Sequence, residues 1–504
     1  MKRNTLLHPI STLILLLSLT GCESPEQVNK NRYPNIVYIL TDDMGYGDIS
    51  GLNGDSKITT PNMDRLLAEG MHFSDAHSPS AVCTPTRYGV LTGRYCFRTR
   101  LESGVLLGHQ PSLIEPGRLT VASMLQEKGY KTACIGKWHL GLDFKKKDPG
   151  KPLVEGDIWN LSSTENVDYS AEIDGGPFDC GFDYSFIIPS SLDIQPYFYI
   201  RNKKIVNTDI IKIEGAHDDN FQGKFWRPGD ASRDFDFEQT LPVLTSEAVQ
   251  YIERQSEDPD QQPFFLYFPL PAPHTPWMPL EEFDGKSGAG RYGDFVTQVD
   301  FTVGEVLRIL DEKGLADNTL VFLTSDNGAY WFPANIEEFN HRSNYIFSGM
   351  KSDVWEGGHH IPYIVRWPGK IKEGTESDQL VCLTDLVATC AEIVDYELPY
   401  NSAEDSYSHL NSLLGLESGQ ARDQLVSQSV SGMYSLRKNN WKLIEGRGSG
   451  GWTYEGSPDE PEGQLYDLST DIAEKNNQYA DHPEKVKELS EMLRMFKDER
   501  RSRW

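Results

Sequence analysis

The chain has 504 residues, with 75 acidic and 48 basic side chains and a formal net charge of −27. At ordinary domain sizes that length means more than one domain, or one large α/β domain with an appendage. A composition of 38% hydrophobic, 11% aromatic and 24% charged residues excludes wholesale disorder. The acidity argues against broad binding to nucleic acid or anionic lipid, although a few buried Lys, Arg and His can still build a pocket for a small anion.

Residues 1–22 read as an export signal. Lys2 and Arg3 precede an apolar core at 13–19 that is too short to span a bilayer. The run Leu19-Thr20-Gly21-Cys22 resembles a bacterial lipobox. That resemblance implies cleavage before Cys22, its lipidation, and a membrane-anchored lipoprotein in the periplasm or at the cell surface. An ordinary signal peptide with an incidental cysteine is the alternative, and export follows either way. Residues 23–32 are polar and read as a tether. No later stretch reaches the roughly 18–20 apolar residues of a spanning helix.

Beyond the tether, strand-like and helix-like segments alternate, the pattern of an α/β fold with a large, mostly parallel sheet between helices. Strands are expected at 35–40 (NIVYIL), 131–135, 263–268 (PFFLYF), 318–324 (NTLVFLT) and 362–367. Helices are expected at 62–69, 119–128, 294–313 and 383–394, the third from Val296, Val299, Val303, Val306, Leu307 and Leu310. Residues 144–166 and 203–235 read as polar insertions. From about 396 the pattern changes to short strands at 424–430, 433–437, 441–444 and 464–468, then a charged helix at 483–499. The expected division is a catalytic domain over 33–395 and a smaller antiparallel α+β subdomain over 396–504.

In a parallel sheet, sites form at the carboxyl ends of strands. Here four strands run into chemistry: Asp42-Asp43, Gly136-Lys137-Trp138-His139, Pro273-His274-Thr275-Pro276 and Ser325-Asp326-Asn327-Gly328. Asp42, Asp43, Asp326 and Asn327 offer only oxygen ligands, which suits Ca²⁺ or Mg²⁺ rather than zinc. One such Asp is ordinarily a turn or a helix cap; two clusters at strand ends indicate a hard-cation site. Six cysteines remain besides Cys22. They are too sparse for a disulfide scaffold, and all but Cys83 read as small buried hydrophobes.

Cys83-Thr84-Pro85-Thr86-Arg87, followed by Leu91-Thr92-Gly93-Arg94, resembles the signature of the type I, formylglycine-dependent sulfatases of the alkaline phosphatase superfamily. The other elements lie in order: DDMGYGD at 42–48, GKWHLG at 136–141, PHTP at 273–276, SDNG at 325–328, Gly349-Met350-Lys351 and Trp355-Glu356-Gly357-Gly358. The resemblance runs from about residue 33 to the end. One departure is His359-His360, where the family often carries an arginine; that position is expected to support the edge of the fold.

The resemblance implies that a formylglycine-generating maturase oxidises Cys83 to an aldehyde whose hydrate attacks sulfur. Cys83 would start a helix whose N–H groups favour the sulfate anion. Asp42, Asp43, Asp326, Asn327 and the modified Cys83 would hold one calcium ion, with magnesium the second choice. Arg87 would hold the nucleophile and the carboxylates. Lys137 and Lys351 would bind sulfate oxygens. His139 would be the base of the elimination step, and His274 the general acid to the leaving alcohol, with Lys351 its competitor. The expected activity is hydrolysis of sulfate esters, exo-acting on oligosaccharides from sulfated polysaccharides, either algal polysaccharides or glycosaminoglycans. Ser191 and Asp193, after a strand read at 181–183, and Arg342 and Asn344 are candidate sugar contacts. The loop residues Phe225, Trp226 and Arg227 could also stack on a sugar or bind an acid group. The alternatives are a phosphonate or phosphodiester hydrolase of the same superfamily, and a catalytically silent surface glycan-binding protein. Neither the sugar nor the oligomeric state is readable from the chain.

Overall fold

The structure, a computed structural model, describes Met1 and residues 33–218, 223–416 and 421–503. The export signal, Cys22 and the tether lie outside the described residues. Among the described residues no helix is long and apolar enough to cross a membrane.

Five strands make a parallel centre, in spatial order Tyr184–Ile188, Lys131–Lys137, Phe264–Pro269, Asn35–Thr41 and Thr319–Ser325. The margins differ. Ile200–Arg201 and Lys204–Ile205 extend one side antiparallel. On the other side Tyr363–Arg366 and Met71–Phe73 run antiparallel, and Thr375–Ser377 closes the edge parallel to Met71–Phe73. The sheet is therefore mostly parallel, as expected, and mixed only where Ile200–Arg201 and Tyr363–Arg366 run against the other strands. Edge strands need no buried crossover helix, so antiparallel strands can be added there.

The strand Asn35–Thr41 is buried along its whole length. Ile36, Tyr38 and Leu40 pack on one face of the sheet, while Val37 and Ile39 pack on the other. The first face is covered by the helices Cys83–Thr92, Val121–Glu127 and Leu386–Ile393. The second is covered by Pro61–Ala68, Thr240–Ser256 and Gly290–Glu312. Burial on both faces is why these strands read as unbroken apolar runs.

Several local expectations shift. The helix Thr240–Ser256 has no counterpart in the sequence reading, because Pro242 looks like a breaker although it sits harmlessly in the first turn. Residues 181–183 are the turn before the strand, which starts at Tyr184. The segment at 383–394 divides into a 3₁₀ turn, Leu383–Asp385, and the helix Leu386–Ile393. The polar insertions fold into short ribbons, among them Glu155–Asp157 with Asn160–Ser163 and Ala216–His217 with Phe225–Trp226.

Near the C-terminus, Gln424–Gln428, Tyr434–Lys438, Trp441–Ile444 and Gln464–Asp467 form an antiparallel sheet in chain order. Leu489, Leu493 and Phe496 of the helix Pro483–Asp498 pack on it, and so do Tyr95, Leu380 and Cys382 of the larger part. The two parts also meet through buried charge. Lys442 Nζ reaches Glu356 at 2.9 Å, Glu474 at 2.8 Å and His359 Nε2 at 3.1 Å. His359 Nδ1 meets His77 Nδ1 at 3.0 Å, and His77 Nε2 meets Asp75 at 2.8 Å, where Arg437 also binds. Burial pulls His77 down to about 4 and His359 well below its usual range, so both rings are neutral and relay hydrogen bonds. His359 thus joins the two parts of the fold, while His360 bonds Glu356 and Ser74 O within the larger part.

Replacing Lys442 by Met would strand the buried Glu356 and Glu474. The expected loss is about 3–5 kcal/mol of unfolding free energy, read by urea denaturation. A change below about 1 kcal/mol, the scale of an exposed pair, would contradict this account of the interface.

Candidate active site

Register assembles the site. Thr41 lies level with Ser325 across the two adjacent parallel strands, so the residues that follow each must meet. Asp326 N donates to Thr41 O at 3.0 Å, Asp43 N donates to Asp326 Oδ1 at 3.2 Å, and Asn327 Nδ2 donates to Asp43 Oδ1 at 2.7 Å. Asp43 turns the chain with a φ of 65°, a left-handed conformation that Asp tolerates better than most residues.

Cys83 opens the ten-residue helix Cys83–Thr92, after an extended Val82, and is buried. One turn on, Arg87 is fully buried; its Nε and Nη2 donate to Asp326 Oδ2 at 3.0 and 2.8 Å, and its Nη1 donates to the Lys137 carbonyl at 2.9 Å. Lys137, the last residue of its strand, donates to Asp42 Oδ2 at 2.5 Å. Lys351 donates to Asp43 Oδ2 at 2.6 Å, with His274 Nε2 3.7 Å from the same oxygen. The predicted catalytic and metal residues are therefore drawn into one buried cluster, with His139 held beside it. Thr84 Oγ1, next to Cys83, donates to the His139 carbonyl at 3.0 Å.

The electrostatics define what each group can do. Burial pushes the Cys83 thiol up to about 12, so the unmodified side chain is no nucleophile at neutral pH. Burial, Lys137 and Arg87 hold His139 well below its usual range. Its Nε2–H donates to Leu106 O at 2.7 Å, which leaves Nδ1 as a bare, buried lone pair without a hydrogen-bond partner. Burial and Lys351 also lower His274, whose Nδ1–H donates to Thr275 O at 2.5 Å and leaves Nε2 toward the carboxylates. Burial raises the Asp42 carboxyl, but Lys137, His274 and Arg87 outweigh it and keep it ionised. Burial and the charge of Asp42 push Asp326 up to about 7, so the carboxylates together ask for more positive charge.

These residues fit a hard cation. Asp42 Oδ1 and Asn327 Oδ1 are buried without a hydrogen-bond partner. Ligand atoms of Asp42, Asp43, Cys83 and His274 lie within 4.8 Å of one another. Oxygen donors that no proton satisfies, among three carboxylates, suit Ca²⁺ or Mg²⁺.

Beside the cluster is a cavity of about 250 Å³ that shares Asp43, His274 and Lys351 with it; Asp193, Phe225, Arg227, Tyr330 and Trp452 also line it. Asp193 Oδ2 accepts from Arg227 Nη1 at 2.7 Å, while its Oδ1 is buried without a hydrogen-bond partner. Ser191 is buried nearby in the chain but is not among the lining residues. Two other sugar-contact candidates also lie off this cavity. Asn344 spends its amide on both backbone groups of Ala329, at 2.8 and 3.1 Å, and Arg342 is exposed; neither lines the cavity. Tyr330 and Trp452 were missed. Tyr330 follows SDNG by one residue, and Trp452 ends the glycine-rich run 446–451, a pattern that could have marked it as a loop-borne aromatic.

Residues 34–396 match the family described as Sulfatase, and residues 350–501 match the C-terminal part of N-sulphoglucosamine sulphohydrolase. An N-acetylgalactosamine-6-O-sulfatase of Bacteroides thetaiotaomicron is 34% identical over 99% of this chain and 100% of its own. The N-acetylgalactosamine-6-sulfatase of Mus musculus is 32% identical over 82% of this chain and 71% of its own. A solved structure from Bacteroides thetaiotaomicron, described in connection with the metabolism of multiple glycosaminoglycans, superposes with a TM-score of 0.79 at 33% identity, covering 93% of this chain and 100% of that one. With the strand-end cluster in place and the family matched over most of its length, the chain belongs to the sulfatases, alkaline phosphatase-like enzymes that hydrolyse sulfuric esters.

Proposed function

We propose that this sulfatase removes the 6-sulfate of N-acetylgalactosamine at the exposed end of glycosaminoglycan-type oligosaccharides. The observation that carries the reading is the end-to-end match to an N-acetylgalactosamine-6-O-sulfatase. The cavity of about 250 Å³ supports the exo-acting part. It falls below the roughly 300–1,000 Å³ of drug-sized pockets and is sized to a single sulfated sugar.

Asp42, Asp43, Asp326, Asn327 and residue 83 would hold one calcium ion, which supplies Lewis-acid polarisation of the sulfate. Formylglycine at position 83, made by a maturase, supplies a hydrated aldehyde as nucleophile in place of an inert thiol. This chain's own residues do the rest. Arg87 fixes Asp326 and the end of the Lys137 strand, so its guanidinium sets the spacing of the site. Lys137 and Lys351, now held by Asp42 and Asp43, are the cations available to sulfate oxygens. His139 Nδ1, locked by the Nε2 bond to Leu106, receives a proton. His274 would give a proton to the departing sugar oxygen from Nε2, once that nitrogen is protonated beside the Asp43 carboxylate. The lipobox-like Leu19–Cys22 supports export and lipid anchoring outside the cytoplasm. The intact set of charged groups supports catalysis over a silent binding role.

The test is sulfate release from 6-sulfated and 4-sulfated N-acetylgalactosamine, with protein made alongside a formylglycine-generating enzyme. Release from the 6-sulfate, lost in Cys83→Ala and after chelation by EGTA, is expected. Preference for the 4-sulfate, or for a phosphonate ester, would sink the reading.

The leaving-group role of His274 is separable. His274→Asn is expected to lower turnover of the sugar sulfate by about 10²–10⁴-fold, but that of 4-nitrophenyl sulfate, whose leaving group needs no proton, far less. If Lys351→Ala produces that split instead, Lys351 is the acid.

A further inference from the structure

Arg227 belongs to two hollows. One is the cavity beside Lys351 and His274. The other is a smaller groove of about 70 Å³, lined by Arg227 together with Ile158, Trp159, Leu161, Ile194 and Gln195. Ile158 and Trp159 sit at the tip of the ribbon Glu155–Asp157 with Asn160–Ser163 and are 43% and 45% exposed, unusual for large apolar side chains. The guanidinium of Arg227 lies 4.9 Å from the Trp159 ring centroid and 5.3 Å from that of Phe225. Its other attachment is Asp193, whose Oδ2 and carbonyl oxygen it binds at 2.7 and 3.0 Å. The Arg227 side chain stays 28% exposed.

We propose that Trp159 and Arg227, at the exposed rim of this groove, form an open second sugar subsite, against which the residue next to the sulfated one in the same oligosaccharide packs. The proposal rests on the sulfatase reading of the neighbouring cavity. Continuity argues for this occupant: Arg227 lines both hollows, and its guanidinium lies beside both the Phe225 ring of the cavity and the Trp159 ring of the groove. Chemistry agrees, since an exposed aromatic face takes the apolar C–H face of a pyranose while the guanidinium edge donates to its hydroxyl or acid oxygens. The groove itself, at about 70 Å³, encloses neither a sugar nor a folded partner, so the contact is with its rim. Asp193 and Phe225 hold Arg227 in place between the two rings, so the subsite is anchored to the residues that face the sulfated sugar.

The experiment compares kcat/KM for a sulfated monosaccharide with that for a disaccharide carrying the same sulfated sugar at its non-reducing end. The full-length, matured protein is used, as wild type, Trp159→Ala and Trp159→Phe, with thermal melts to confirm folding. The disaccharide-to-monosaccharide ratio is expected to exceed one in wild type. It should fall about 5–10-fold in Trp159→Ala, the scale of one aromatic contact, and recover largely in Trp159→Phe. Equal kcat/KM for the two substrates in wild type, or an equal loss on both in Trp159→Ala, overturns the subsite and leaves the sulfatase reading standing. No release from either substrate by wild type overturns both.

Discussion

Three carboxylates and three cations are buried together at the ends of parallel strands, and each is tolerable there only because of the others. Asp42 is matched by Lys137, Asp43 by Lys351 and Asp326 by Arg87. An uncompensated buried ion costs several kcal/mol, so this cluster is a poor source of stability and a demanding one to assemble. What makes it possible is the sheet. Parallel pairing of Asn35–Thr41 with Thr319–Ser325 brings residues nearly three hundred positions apart into hydrogen-bond contact, and apolar packing on both faces holds that register. The stability that supports the site comes from the strands and helices behind it, and the charges at the rim are there for chemistry.

The C-terminal part is tied to the same cluster through one turn. Lys351 reaches Asp43, and the next residue, Ser352, is held by Ala81 O, two positions before Cys83. Trp452 N in turn donates to Ser352 Oγ and Asp353 Oδ1, both at 3.1 Å, so the aromatic at the cavity mouth is fixed by the turn that presents Lys351. Any shift of the small sheet would move Trp452 and disturb Lys351 together. The network of Lys442, Glu356, His359 and His77 lies in the same joint and resists such a shift. The wall of the cavity and the geometry of the cluster are therefore mechanically connected.

Much of this was legible from the chain. The central strands read directly, because a strand buried on both faces must be an unbroken apolar run. The strand-end residues Asp42, Asp43, Lys137, His274, Asp326 and Asn327 read because each ends or follows such a run, and a polar cluster there has few places to go but the sheet edge; Cys83, Arg87 and Lys351 read only from the motifs around them. The helix Thr240–Ser256 did not read, because a proline masks it, although the first turn of a helix has no N–H to lose there. Asn344 misled for the opposite reason: a polar amide in a loop looks available, but this one closes both hydrogen bonds of Ala329.

The sequence by itself determined the chemistry: Cys83 with Arg87 one helical turn on, oxygen-only ligands at two strand ends, and a Lys or His after two others. Those features are local, and a motif of a few residues carries them whole. Tertiary structure alone decided which aromatics and cations come together around the cavity and groove beside the cluster. Arg227, Tyr330, Trp452 and Trp159 come from four separate loops whose short polar sequences set no register of their own. Their meeting depends on where the sheet, the ribbons and the C-terminal part place their ends, a long-range outcome that no local pattern encodes.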